Sequence, residues 1–443
     1  MKVETTYYSI WKVAYPLILG SLANNLLNVV DTAFIGRLGN ISLGASAIGS
    51  TYYLVFSLIC IGLSSGAQII IARKSGAKDY KSIGKVFVQN TYLMFLFGIL
   101  LLLFLITTTP SILRLLITSD AIYHEAIAYT SYRVWGIFFV ALTSVYTSFY
   151  VGITKTKVLI YSTAVMTFTN IILDYGLIFG HFMLPRMNIS GGALASVIAE
   201  ASAFLFIVVY TRKYVNASKF QLYKFERWSS KLVFQNIKLG YPIMFQYLMS
   251  LGSWFMFFII IEKLGEQVLA VSNILRSLLL LFMMPIWGLS STANSFTSNL
   301  LGQDKSNLIP LLLKRLNTIA GLLVLFFAPF VLFFPELLAQ IYSDDVVLIT
   351  ESSKIIWIVY ITMLTFIPGV ILNNSLCGTG DTKTAFVIEL FGTFFYLTYA
   401  YFVAIHYQLP LAFIWFSEMI YWFVIGLLSF YRLKSRKWKS ITI

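Results

Sequence analysis

Apolar stretches of about 18 residues or more recur along the whole chain, separated by short polar breaks. Each is long enough to cross a bilayer as a helix. The pattern predicts twelve spans, at roughly 10–36, 46–72, 85–107, 126–152, 157–180, 190–212, 232–262, 268–300, 308–333, 352–377, 384–405 and 410–431. Helices and closed barrels are the two structures that satisfy every backbone group inside lipid. The runs here are continuous rather than alternating, so helices are expected. The breaks leave no room for a soluble domain.

The pattern also repeats. Displacing the chain by 226 residues lays Tyr15-Pro16 on Tyr241-Pro242, Leu38-Gly39 on Leu264-Gly265, and GLSSGA from Gly62 on GLSSTA from Gly288. Gly76 falls on Gly302, Gly152 on Gly378, and Thr156-Lys157 on Thr382-Lys383. One interval held without a gap is the mark of duplication. Six spans is an even number, so both copies enter the membrane in the same direction, as parallel repeats about an axis along the membrane normal. The expected organisation is a six-helix lobe over 1–215, a basic linker over 216–231 and a second six-helix lobe over 232–443. Fused repeats of this kind meet at a central site, which rocking exposes to each side in turn.

Composition agrees with the membrane reading: hydrophobic residues make up 58% and charged residues 11%. The net charge of +14 would suit nucleic acid, but its placement argues against it. Of 32 Lys and Arg, 25 fall in segments that are cytoplasmic if the N-terminus is inside. Five fall in outer loops (Arg37, Arg114, Arg186, Lys263, Lys354) and two in spans (Arg133, Arg276). That asymmetry predicts a plasma-membrane protein, in bacteria the inner membrane, with both termini cytoplasmic. The C-terminal YRLKSRKWK reads as an anchor on anionic lipid. The first apolar run is too long for a cleavable signal peptide. Cys60 and Cys377 are isolated in predicted spans and suggest neither a disulfide nor a metal framework. No Gly-rich phosphate loop is evident, so ATP is not the expected energy source. No cofactor is called for.

Ionisable groups inside spans cost about 2.5–3.5 kcal/mol each on insertion scales, so each needs a reason. Asp31, Asp174, Glu200 and Glu418 stand out, with Glu389 nearer the cytoplasmic end of its span. Asp31 ends a stripe of Ser21, Asn24 and Asn28 on one helix face, and Asp174 ends a stripe of Thr163, Thr167 and Asn170. A polar stripe on a spanning helix faces another helix or water. Counting inward from the outer ends of their spans, Asp31, Asp174 and Ser196 lie at one depth, within roughly 7–10 Å of the outer boundary. Two carboxylates in one partly dry pocket resist being ionised together, which makes a proton site. With the neutral oxygens of Asn170 and Ser196, the same four residues also suit Na⁺.

The second copy lacks this equipment: Asn24, Asn28 and Asp31 correspond to Ser250, Trp254 and Phe257, and Asn170 and Asp174 to Tyr396 and Ala400. One coupling centre, in the first copy, is therefore expected. Trp254, Phe257, Trp287 and Tyr396 offer an aromatic wall for flat organic cations, or simply pack helices. Glu200 and Glu418 occupy matching places, offset by 218, and either bind a cationic substrate or pair with Arg133 or Arg276. Pro16, Pro242, Pro285 and Pro368 lie inside spans, and Pro16 is the candidate hinge.

The segment YPLILGSLANNLLNVVDTAFIGRLG, the paired GLSSGAQ and GLSSTAN, NIILDYGLIFG and GGALASVIAE together resemble the multidrug and toxic compound extrusion (MATE) family over essentially the whole chain. The resemblance implies an all-α, V-shaped antiporter of twelve helices that exchanges protons or Na⁺ for amphipathic, often cationic, organic compounds. It implies a monomer in lipid, with a first-lobe cation site at Asp31, Asn170, Asp174 and Ser196, the last a Ser where the family has Thr. A second-lobe Na⁺ site found in some members uses an acid that falls here near Ser250, and no acid is present. The expected function is multidrug efflux by alternating access. The alternative is a flippase for a lipid-linked saccharide, which should want a cationic cavity; five intramembrane acids against two bases disfavour it. An enzyme is not expected, because His124, His181 and His406 have no ligand-spaced or nucleophilic partners.

Overall fold

The predicted apolar runs are all helical in the computed structural model, which describes residues 3–224 and 226–441. The outermost residues of the two expected lobes (1–2 and 442–443) and residue 225 of the linker lie outside the described residues. The first copy comprises α1 (Tyr7–Gly36), α2 (Asn40–Gly76), α3 (Tyr80–Leu116), α4 (Asp120–Arg133), α5 (Gly136–Gly152), α6 (Lys157–Phe179), α7 (Ile189–Tyr214) and the short α8 (Ala217–Phe220). The second comprises α9 (Ser230–Glu262), α10 (Glu266–Gly302), α11 (Ile309–Leu325), α12 (Ala328–Phe333), α13 (Pro335–Gln340), α14 (Val346–Ser353), α15 (Ile356–Thr379), α16 (Thr382–Tyr401) and α17 (Leu411–Lys434). Among the described residues, eleven helices qualify as spans by length and apolarity, and α4 with α5, bent by 45°, makes a twelfth if the pair is one span. The expected span 126–152 is thus broken, at Val134-Trp135, and the cause lies in the site described below.

Two compact units emerge. One is Leu19–Met244; the other joins the N-terminal segment through Ile18 to the stretch from Phe245 onward. Each helix that opens a repeat therefore divides its length between the units, and the boundary falls two residues past Pro16 in α1 and two past Pro242 in α9. A proline inside a helix removes one i→i−4 hydrogen bond and clashes with the preceding turn. In both repeats this weak point stands where the helix passes from one unit to the other. Pro16→Ala should leave the thermal unfolding midpoint unchanged or higher and slow transport several-fold in liposomes. Unimpaired turnover would remove Pro16 from the hinge role.

The repeated GLSS motif has a steric reason. In the first unit a Cβ on Gly62 would stand 2.5 Å from Met244 Cα, and in the second a Cβ on Gly288 would stand 2.7 Å from Ile18 Cγ1. Met244 and Ile18 are themselves related by the 226-residue interval. Both repeats thus pass their first helix across the opening glycine of the motif, where no side chain fits. The repeated Leu-Gly pairs serve the turns: Gly39 and Gly265 have φ of 110° and 111°, in the region only glycine enters without strain.

Within the first unit α2 packs on α3, α4 and α5, and α7 on α4, α5 and α6. Buried Ser64 accepts from Asn90 Nδ2 at 3.0 Å, and Asn90 Oδ1 accepts from Asn236 Nδ2 at 2.8 Å, which ties α9's first turns to α2 and α3. In the second unit α15 packs on α10 and α17, and α16 on α17.

Candidate functional site

Asp31, Asn170, Asp174 and Ser196 converge inside the first unit. Asp31 lies about one and a half turns before the end of α1, Asp174 the same distance before the end of α6, and Ser196 about two turns into α7. Asn170 and Asp174, one turn apart, share the face of α6 that packs on α7. Both are buried. With its amide nitrogen turned toward the acids, Asn170 donates to Asp31 Oδ1 at 2.6 Å and to Asp174 Oδ2 at 3.2 Å. Its other amide atom faces Ser196 Oγ at 3.3 Å. Asp174 Oδ1 is buried with no hydrogen-bond partner. An orphaned carboxylate oxygen beside a second acid and neutral oxygens suits a proton or a small cation that completes its bonding.

One turn further toward the C-terminal ends of α1 and α6 the chemistry changes. Ile35, Ile178, Ile189 and Ala193 pack with Ala45, Leu113 and Tyr129 in a buried apolar cluster. It lies between the acid pair and the near ends of α1 and α6. Toward the N-terminus of α1, the polar stripe continues to Asn28 and Asn24, both exposed. Thr167 of α6 is buried, and its hydroxyl has no hydrogen-bond partner.

Glu200, expected either to meet a substrate cation or to pair with an arginine, takes the second course. Arg133 Nη1 donates to Glu200 Oε2 at 3.0 Å and Nη2 to Oε1 at 2.7 Å. The Tyr53 hydroxyl donates to Oε2 at 2.8 Å, and the guanidinium lies 3.6 Å over the Tyr53 ring. The carboxylate is fully engaged and is no longer a free counter-charge for a substrate. This cluster sits at the break between α4 and α5. A Cβ on Gly136 would stand 2.1 Å from Glu200 Oε2 and 2.6 Å from Arg133 Nη1. The sequence drew no attention to Tyr53 or Gly136; a glycine three residues after an intramembrane arginine was the available signal. Gly136→Ala should disrupt the pair and lower the unfolding midpoint by several degrees, read by a thermal melt of purified protein. An unchanged midpoint would mean that the pair shifts without loss.

The aromatic wall is corrected in part. Phe257 and Tyr396 are fully buried and stack on each other, ring centroids 5.5 Å apart, with Trp415 against Phe257 at 5.4 Å. They are core of the second unit, because bulky rings have filled the space that small polar groups leave in the first. Trp287 is 40% exposed and Trp254 half-buried, so these two remain on the surface of their unit. Glu418 is buried, and its carboxyl pairs with neither Arg133 nor Arg276. The Arg276 guanidinium lies 4.9 Å over the Phe258 ring. No group of three or more His, Cys, Asp or Glu that could hold a metal is found among the described residues. Both cysteines are free and buried.

Comparison with known proteins matches this architecture. The MatE family model matches twice, over residues 16–176 and 242–402, the same 226-residue displacement read from the repeats. The probable multidrug resistance protein YoeA of Bacillus subtilis is 24% identical over 98% of this chain and 95% of its own length. The probable multidrug resistance protein NorM of Shewanella oneidensis is 23% identical over 86% and 83%. A solved MOP-superfamily transporter from Pyrococcus furiosus, described as having a binding pocket of reversed polarity that suggests a different function, superposes with a TM-score of 0.88. It is 20% identical over 98% of this chain and 96% of its own, a likeness of fold. With both halves matched, this multi-pass membrane chain belongs to the MatE family of transporters.

Proposed function

We propose that the protein exports amphipathic, cationic organic compounds across the cell membrane in exchange for protons or Na⁺, by alternating access, with Asp31, Asn170, Asp174 and Ser196 as the coupling site. The observation that carries this reading is the meeting of two membrane-embedded acids on one amide, with one carboxylate oxygen left unpartnered and, among the described residues, no ion pair to either. The multidrug-resistance names of YoeA and NorM support the substrate class.

In the proposed cycle the acid pair is the switch. A cation taken up at the acid pair removes the need for Asn170 to donate to both carboxylates, so helices α1 and α6 lose a shared tie. Cation and substrate then compete for the conformation each prefers, and the coupling is reciprocal: a cation that weakens substrate binding is weakened by substrate in the same ratio. One proton against one monovalent substrate moves no net charge. A second proton makes the cycle electrogenic, worth about 2.3 kcal/mol per charge per 100 mV. Both termini lie in the cytoplasm in this reading, since the basic segments do.

The test is transport by the wild-type protein in liposomes. Efflux of a fluorescent organic cation is followed with an imposed proton gradient, an imposed Na⁺ gradient, or neither. Efflux driven by one gradient identifies the coupling ion. No movement under either gradient removes the antiport reading.

A further inference from the structure

The 226-residue interval relates Glu200's partners to residues in the second unit that cannot pair with an acid. Arg133 corresponds to Val359 and Tyr53 to Leu279, both buried. Glu418, the counterpart of Glu200, has therefore kept its carboxyl and lost its cation. Glu389 has no acidic counterpart at all, since Thr163 stands in its place. Both glutamates are buried in the second unit.

What surrounds them is aromatic. The Tyr396 hydroxyl and the indoles of Trp254 and Trp422 face the Glu418 carboxyl. Yet Glu418 Oε2, the Tyr396 hydroxyl and Trp422 Nε1 are buried with no hydrogen-bond partner. The Tyr421 hydroxyl donates to Glu389 Oε1, and its ring lies 5.5 Å from that of Tyr396. From α15, Cys377 interacts with Glu389. Arg432 of α17 is held by Asp381, Nε to Oδ2 at 2.6 Å. No Lys, Arg or His faces either glutamate among the described residues. A buried carboxylate without a counter-charge is costly to ionise, so each favours holding a proton or a cation there.

We propose that Glu418 and Glu389, set around the neighbouring rings of Tyr396 and Tyr421, form a second proton-binding site, contained in the second unit and separate from the Asp31–Asp174 pair. Its contribution to transport rests on the antiport reading above; proton occupancy does not. Duplication has left each unit with two uncompensated acids in different places. In the first unit Asp31 and Asp174 are bare and Glu200 is neutralised. In the second, Phe257 and Ala400 replace the aspartates, and Tyr396, standing where Asn170 does, addresses Glu418 instead.

Infrared difference spectroscopy of the purified protein, titrated with pH and without substrate, reads protonated carboxyls directly by their carbonyl stretch. The wild type should show protonated glutamate at neutral pH. Glu418→Gln and Glu389→Gln should each remove part of that band, whereas Asp31→Asn with Asp174→Asn should leave it. Glu418→Asp, which keeps the acid if the glutamine variant fails to fold, should move the band rather than abolish it. A band unchanged in both glutamine variants overturns the proposal. A second measurement counts protons released when ethidium binds: Glu418→Gln should release fewer than wild type. If wild type binds no ethidium, the antiport reading fails, while the infrared result still decides the site.

Discussion

Asp174→Asn should abolish gradient-driven efflux of an organic cation from liposomes, to the level of protein-free vesicles, and Asp31→Asn should do the same. The substitution keeps size and hydrogen bonding but cannot change charge, and a coupling site works through that change alone. The two carboxylates share Asn170, at 2.6 and 3.2 Å, so removing either charge leaves the amide tied to one acid in every state of the cycle. Equilibrium binding gives the sharper readout. Coupling between two ligands is typically worth about 1–3 kcal/mol, or roughly 5- to 150-fold in affinity. Wild-type affinity for the organic cation should vary with pH or Na⁺ by a factor in that range; in either variant the dependence should vanish while binding persists. If both variants transport normally, the coupling site lies elsewhere.

Arg133→Met should be the most destabilising substitution in the first unit. It removes the cation from a half-buried pair in which each side chain is 13% exposed, leaving Glu200 with only the Tyr53 hydroxyl. Breaking such a pair on one side costs about 3–5 kcal/mol, because the remaining charge stays buried; slight exposure here places the expectation toward the lower figure. Arg133→Met combined with Glu200→Gln should recover most of that loss, since no charge is then stranded. Thermal unfolding of the single and double variants checks this. A double variant no more stable than the single would mean that the guanidinium over Tyr53 matters more through packing than through charge.

The eleven or twelve candidate spans, the duplication and the meeting of the four residues of the candidate coupling site were legible in the chain. Lipid excludes every backbone arrangement but helix or barrel, so a continuous apolar run has one outcome. A charge in such a run is costly enough to stand out, and helical spacing then places its neighbours. Asp31, Asn170, Asp174 and Ser196 were found by depth and periodicity because helices cross the bilayer as rods. Three other features were hidden. The partner of Glu200 could not be chosen between Arg133 and Arg276, because the choice depends on which helices pack. The break in the fourth span was read as continuous, because two irregular residues hardly alter hydropathy; what holds it is the bulk of Arg133 and Glu200 beside Gly136. Phe257 and Tyr396 carry the composition of a binding wall and the burial of a core.

Composition and order along the chain thus decide what local physics can decide: which segments are apolar enough to span, how often the unit recurs and where charge is out of place. They do not decide which residues meet when the helices assemble. Glu200 and Glu418 sit in matching places on duplicated helices, and one is neutralised while the other stands among aromatic rings. The difference is made by residues far away in the chain, Arg133 and Tyr53 against Val359 and Leu279, that only packing brings alongside. Side-chain neutralisation inside a membrane acts over a few ångströms, and distance in sequence says nothing about it until the helices are in contact.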